Sequence, residues 1–331
     1  VGIGARYINE VLPGRSDNAP VRRSLLIAMV ATCLSVSGCA GNAAVTTSSS
    51  FATPSRSVPG SDPSEVRPDV CDAVGASAPV GEVTDPGLTE ISGVVYSQTL
   101  PGVLWAHNDS GAPPWLWAVA PDGVVLGHHE IDARNVDWED VALGPGSGPG
   151  WWVYLADTGD NFGRRDSVRL IRFPEPGSAS GTIDEVETLE VRYPDGPEDA
   201  EALLVDPLTG DGYIITKSDS GVATVLSVPV DAWDGGQIMA QPVARLDFGE
   251  AEVVTAADIS SDGLLIALRT YGDVWLWSRQ ANDTVDSALL GRPCRAPASD
   301  EPQGEAVALD ARGYAMIGEG AGSILYRSEG W

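Results

Sequence analysis

Five oxygen-bearing side chains recur at one register of this sequence: Ser92, Glu139, Glu201, Thr255 and Glu305 each open a short apolar run. The runs read Ser92-Gly93-Val94-Val95-Tyr96, Glu139-Asp140-Val141-Ala142-Leu143, Glu201-Ala202-Leu203-Leu204-Val205, Thr255-Ala256-Ala257-Asp258-Ile259 and Glu305-Ala306-Val307-Ala308-Leu309. If their first residues converge where water is scarce, the carboxylates repel one another and the group must take up protons, water or a cation. Ca²⁺ prefers a shell of carboxylate, hydroxyl, carbonyl and water oxygens, so it is the cation this donor set predicts. The plainer alternative is that the acids accept backbone hydrogen bonds or face a water-filled channel, their recurrence repeating only the ancestry of one unit. Histidine occurs only as His107, His128 and His129, which leaves zinc or copper few ligands.

The elements that would position these residues follow from the spacing. The runs stand roughly fifty residues apart, about the size of a four-stranded propeller blade with its loops. Gly, Pro, Asp and Asn turn signals divide each repeat into short strands rich in aromatic and β-branched residues. In the first repeat they predict strands at 91–96, 103–107, 115–119 and 124–131. In the second they predict 141–143, 153–156, 168–173 and 188–193. Strands at 213–216, 224–228 and 243–248 follow in the third, and at 264–268 and 274–277 in the fourth. The fifth repeat has room for 314–317 and 323–326 and then runs out, so a strand near 79–83 is expected to complete it and close the ring. The fold class is therefore all-β, a five-bladed β-propeller closed by an N-terminal strand, with few and short helices. Inner strands of a propeller line its channel, which puts the five recurring residues around one mouth.

A second set of polar turns should open on the same face: Asn108-Asp109-Ser110-Gly111, Asp157-Thr158-Gly159-Asp160-Asn161, Lys217-Ser218-Asp219, Arg269-Thr270-Tyr271 and Glu319-Gly320. Lys217 and Arg269 beside a cation would suit a phosphate or carboxylate ligand. Lys217, Arg269 and Asp157 are accordingly the candidate catalytic groups of a calcium-dependent phosphohydrolase, with Glu139 or Asp157 orienting water. Turns of this composition also occur in propellers with no activity. The Asp157 turn is not an EF-hand, because Val168 stands where that loop needs its glutamate. No nucleophile elbow, zinc-protease helix motif or phosphate-cradling glycine loop is present. His128 and His129 are adjacent on an expected strand and point to opposite faces. Strand tryptophans such as Trp105, Trp117 and Trp275 read as packing between blades, while Trp138 and Trp151-Trp152 have no obvious place.

The set Ser92, Glu139, Glu201, Thr255 and Glu305 resembles the axial calcium site of the five-bladed calcium-activated nucleotidases, or apyrases, with Thr255 replacing a serine. That resemblance implies fold and metal but no nucleotide recognition. Asp137-Trp138-Glu139-Asp140, Gly159-Asp160-Asn161, Glu201 to Pro207 and Arg269-Thr270-Tyr271 resemble bacterial propeller lipoproteins, a likeness that brings no assigned chemistry.

The formal net charge is −27 and Lys217 is the only lysine. Nucleic acids and anionic lipid surfaces, which are bound through clustered Lys and Arg, are therefore excluded as partners. Near the start, Arg22-Arg23 precedes an apolar run from Leu25 to Val36, too short to span a bilayer. It ends in Val36-Ser37-Gly38-Cys39, which resembles a lipobox and implies acylation of Cys39. The alternatives are an ordinary signal peptide cut near Ala40 or a buried core helix. The expected organisation is a signal region over 1–38, with translation from Val21 an open alternative. A lipidated cysteine and a Ser/Thr/Pro-rich tether over 39–71 follow, then a propeller over 72–331. Cys71 and Cys294 would form a disulfide fastening the ring seam, or stand as two thiols. The expected protein is a monomer anchored by lipid on the extracytoplasmic face of the cell membrane. It is expected to be a binding module for a small anionic ligand or a cell-envelope protein rather than an enzyme, with Ca²⁺ as its cofactor.

Overall fold

Inner strands rich in alanine and β-branched residues can approach one another closely, and here five of them form a ring. In the computed structural model, which describes residues 70–331 apart from 251, 300 and 302, each repeat forms one antiparallel sheet. Blade one is Ile91–Tyr96, Leu104–Asn108, Trp115–Val119 and Val125–Ile131. Blade two is Trp138–Pro145, Trp151–Asp157, Val168–Pro174 and Glu187–Arg192. Blade three is Ala200–Val205, Gly212–Thr216, Val222–Val228 and Gln241–Asp247. Blade four is Val254–Ile259, Leu265–Thr270, Val274–Ser278 and Cys294–Ala296. Blade five is Gly304–Asp310, Gly313–Gly318 and Ser323–Glu329, completed by Ala78–Val83. The inner strands contact each other in cyclic order, blade five returning to blade one. The fold is thus the five-bladed propeller that the register predicts.

The strand period of two explains the packing. On the inner strand of blade three, Leu203 and Val205 join the cluster shared with blade two, while Ala202 and Leu204 join the cluster shared with blade four. Each of the five blade interfaces has one such cluster. The tryptophans fill these interfaces: Trp105 and Trp138 lie between blades one and two, Trp117 between blades five and one, and Trp152 between blades two and three.

The ring closes through the N-terminal strand, which pairs antiparallel with Ser323–Glu329 from Ala78 opposite Arg327 to Val83 opposite Ser323. Cys71, just before it, forms a disulfide with Cys294 on the outer strand of blade four. Two additions escaped the turn signals. Gly181–Ile183 adds a parallel fifth strand to blade one, and Gln237–Met239 adds one to blade two. The expected signal region, Cys39 and the tether as far as residue 69 lie outside the described residues.

Candidate metal centre

Each inner strand carries a β-bulge near its start, and the unpaired residue is the recurring one. Cα pairing passes from Ile91 to Gly93, from Trp138 to Asp140, from Ala200 to Ala202, from Val254 to Ala256 and from Gly304 to Ala306. Ser92, Glu139, Glu201, Thr255 and Glu305 are skipped. A bulge frees one residue from the ladder and re-aims its side chain, which is how a strand can turn a residue out of the blade.

Four of the five reach a common cavity of about 270 Å³ at the channel mouth, lined by Ser92, Glu139, Glu201 and Glu305. The same cavity receives Asp109, Asn161, Lys217, Tyr271 and Glu319 from the polar turns of all five blades. Thr255 does not line it. Its hydroxyl donates to the Gly304 carbonyl at 2.7 Å and ties blade four to blade five. Ser92 makes the equivalent bond to the Glu139 carbonyl at 2.8 Å, with its hydroxyl also 3.5 Å from the Glu139 carboxylate.

Three acids that the register does not single out complete the arrangement. Asp109, Asp137 and Glu139 bring carboxylate oxygens within 4.8 Å of one another, as do Glu139, Asp199 and Glu201. The donor set could hold a metal ion. Asp137 and Asp199 stand two residues before Glu139 and Glu201, and this repeated Asp-x-Glu was the available signal for them. Gly159 makes room for the group, since a Cβ there would lie 1.8 Å from Glu139 Oε1 and 2.6 Å from the Asp137 carboxyl carbon.

The electrostatics follow from the crowding. Burial, then the neighbouring charges of Glu201, Asp109, Asp137 and Asp199, hold Glu139 well above the usual carboxylate range. Burial also pushes Glu201 up to about 8, against the opposing charge of Lys217, and Asp137 up to about 6. Lys217 donates to Glu201 Oε1 and lies 5.5 Å from the Tyr271 ring centroid. Burial works against its charge, but the Glu201 carboxylate outweighs it and raises the ammonium pKa. Glu201 Oε2 is buried without a hydrogen-bond partner among the described residues.

Two candidate groups lie elsewhere. Arg269 is fully buried, donating to Glu301 Oε2 at 3.0 Å and to Met316 Sδ at 3.3 Å. Asp157 is fully buried and paired with Arg165 at 2.8 Å and with Arg169. Tyr271, two residues beyond Arg269, takes the place at the cavity.

Below the mouth, two further acids join the inner strands. Asp140 Oδ2 accepts from Leu203 N of blade three at 2.8 Å and from Ala257 N of blade four at 3.1 Å, while Oδ1 accepts from Val141 N. Asp258 accepts from Ile259 N and, across the next interface, from Leu309 N of blade five at 2.6 Å.

No family model matches the chain, and no curated protein matches it. Among solved structures, a glucose dehydrogenase is similar over 76% of this chain and 99% of that chain, at 7% identity and a TM-score of 0.46. The soluble aldose sugar dehydrogenase from Escherichia coli is similar over 78% and 100%, at 8% identity and a TM-score of 0.45. A chain of a nidogen/laminin complex is similar over 70% and 72%, at 12% identity and a TM-score of 0.42. Likenesses this distant carry no argument about the chemistry of the site.

Proposed function

We propose that the protein is a lipid-anchored, extracytoplasmic propeller that holds calcium at the mouth of its axial channel and binds a ligand or partner on the face around it. The observation that carries this reading is Glu201. Its side chain is 7% exposed and Oε2 has no partner among the described residues, yet it shares a cluster with Glu139 and Asp199. A buried acceptor left without a donor costs about 1–3 kcal/mol, which a bound cation would relieve. The surrounding oxygens come from separate loops and strands, an irregular donor set that suits Ca²⁺ better than the strict octahedron of Mg²⁺. The resemblance of Ser92, Glu139, Glu201, Thr255 and Glu305 to the apyrase calcium site points the same way for the four that line the cavity, Thr255 being bonded instead to the Gly304 carbonyl.

The anchor rests on Arg22-Arg23, the apolar run and the Ser37-Gly38-Cys39 ending. A disulfide suits the oxidising compartment that such an address implies. A calcium ion with open positions would take carboxylate or phosphate oxygens, from a small anionic ligand or from a cell-envelope protein. The phosphoester-hydrolysis alternative keeps only Lys217 of its three candidate groups at the cavity, because Arg269 and Asp157 are committed to other ion pairs. Binding is therefore the better reading.

Thermal unfolding in calcium and in chelator tests it. A ligand of the native state at a hundred times its Kd adds about 2.7 kcal/mol, and Glu139→Gln should lose most of the resulting shift. Coincident curves at millimolar calcium would overturn the cation. Calcium-dependent turnover of phosphoesters that disappears in Lys217→Ala would replace the binding reading with the hydrolase.

A further inference from the structure

We propose that a cavity on blade five, beside the channel mouth, is a binding site for a primary ammonium group. The site is separate from the calcium centre and needs no ion there. The cavity has a volume of about 210 Å³. It is lined by Glu301, by Glu319, Gly320 and Gly322 of the turn between Gly313–Gly318 and Ser323–Glu329, and by Ile324 and Tyr326. Sites that enclose a whole drug-sized ligand measure about 300–1,000 Å³, so this one suits a single small group of a larger molecule.

The observation that points to a ligand is Glu301. Its side chain is 6% exposed, and Oε2 has two donors, Arg269 at 3.0 Å and the Ser299 hydroxyl at 2.6 Å. Oε1 is buried and has no hydrogen-bond partner among the described residues. Burial raises the Glu301 pKa against the opposing pull of Ser299, Arg269 and the Gly318 N–H, and that N–H makes no hydrogen bond to Oε1. A buried carboxylate oxygen calls for a donor, and the cavity that Glu301 lines is where one can enter.

Charge selects the kind of donor. Glu301 and Glu319 both line the cavity, and the Glu82 carboxylate lies 3.0 Å from where a Cβ on Gly322 would stand. No lysine or arginine lines it. Arg269 is paired with Glu301, while Lys217, whose charge reaches Glu319, lines the mouth cavity and is held by Glu201. A cationic donor is therefore favoured over a hydroxyl or an amide. Ile324 and Tyr326 offer half-buried apolar surface to a short alkyl stem, and a tyrosine ring attracts a cation.

The test uses n-butylammonium and its uncharged counterpart 1-butanol, titrated in chelator into the isotopically labelled whole protein and followed by amide NMR. Butylammonium should move the Gly320 and Gly322 signals to saturation with a Kd in the millimolar range, and butanol should leave them in place. Glu301→Gln should weaken binding by about tenfold or more, the loss expected for a hydrogen bond between charged groups. Tyr326→Leu, which leaves the Glu301 and Arg269 pair intact, should weaken it by about two- to fivefold. A wild-type Kd above about 100 mM means that water alone fills the cavity and overturns the proposal. So does equal saturation by butanol, or an unchanged affinity in a folded Glu301→Gln. Binding that disappears in Glu139→Gln, with the Gly320 and Gly322 signals still, puts the ammonium among the acids of the mouth and also overturns it. The calcium-induced thermal shift is measured separately, so failure of either site leaves the other standing. The wild-type titration needs no variant to fold.

Discussion

Replacing Asp140 by alanine tests the way the inner strands are held together below the cavity. Its carboxylate accepts from the backbone N–H groups of Val141 at 2.8 Å, Leu203 at 2.8 Å and Ala257 at 3.1 Å. The last two belong to blades three and four, so one side chain joins three blades at the axis. Asp140 is 0% exposed, so solvent does not reach its three donors in the native protein. Each buried donor left unpaired costs about 1–3 kcal/mol, and the three together give about 3–9 kcal/mol. The low end is the expectation, because burial already holds the Asp140 carboxyl well above its usual range and removing it relieves that cost. At about 2–4 °C per kcal/mol for a large domain, the midpoint should fall by roughly 6–12 °C. Asp140→Asn keeps one acceptor oxygen and should fall between wild type and alanine. Asp122→Ala, in an exposed turn, is the control and should stay within about 0.5 kcal/mol. Denaturant unfolding followed by circular dichroism, with the slope checked for constancy, measures all four proteins. A loss below about 1 kcal/mol for Asp140→Ala would refute the argument that these bonds hold the axis.

Three further outcomes are expected. Reducing the Cys71–Cys294 bond, which spans 223 residues, should cost up to about 5 kcal/mol on the chain-entropy account; a midpoint unchanged by reductant would contradict the role of this bond at the seam. Burial pushes Asp258 up to about 7 from 3.8, against the N–H groups of Leu309 and Ile259, so between those values the folded state binds a proton that the unfolded state has lost. Its contribution is complete below pH 4 and declines by about 4 kcal/mol as pH rises to 7, so the stability difference between wild type and Asp258→Asn should shrink over that window and level off above it; a flat difference from pH 4 to 8 would be the wrong result. Gly159→Ala should keep the fold, since the nearest atom is the far end of the Glu139 side chain, but should abolish most of the calcium-induced thermal shift by displacing that carboxylate; a full shift in this variant would detach calcium from the Glu139 cluster.

The blades were legible because their hydrophobic alternation and turn residues repeat at a constant register, and the shortage of a last strand announced the closing one. The additions at Gly181–Ile183 and Gln237–Met239 were not, because three residues at a sheet edge carry no alternation to read. The site divided along the same line. Register alone marks Ser92, Glu139, Glu201 and Glu305 because the bulge at each strand start is part of the repeat. It cannot tell that the Thr255 hydroxyl is used by the Gly304 carbonyl, nor that Arg269 turns into the interface toward Glu301 while Tyr271 faces the cavity. Such choices depend on which neighbour is within reach across a blade interface. Asp137 and Asp199 could have been found, since each precedes a recurring glutamate by two residues at the same point of its repeat.

The most direct measurement is a crystal structure of the protein grown in calcium, with anomalous difference density calculated at the channel mouth. The account predicts density beside Glu139 and Glu201, with carboxylate oxygens at about 2.3–2.6 Å. Density at water-like distances alone, with the Glu139 and Glu201 oxygens bonded only to water or to each other, would contradict it.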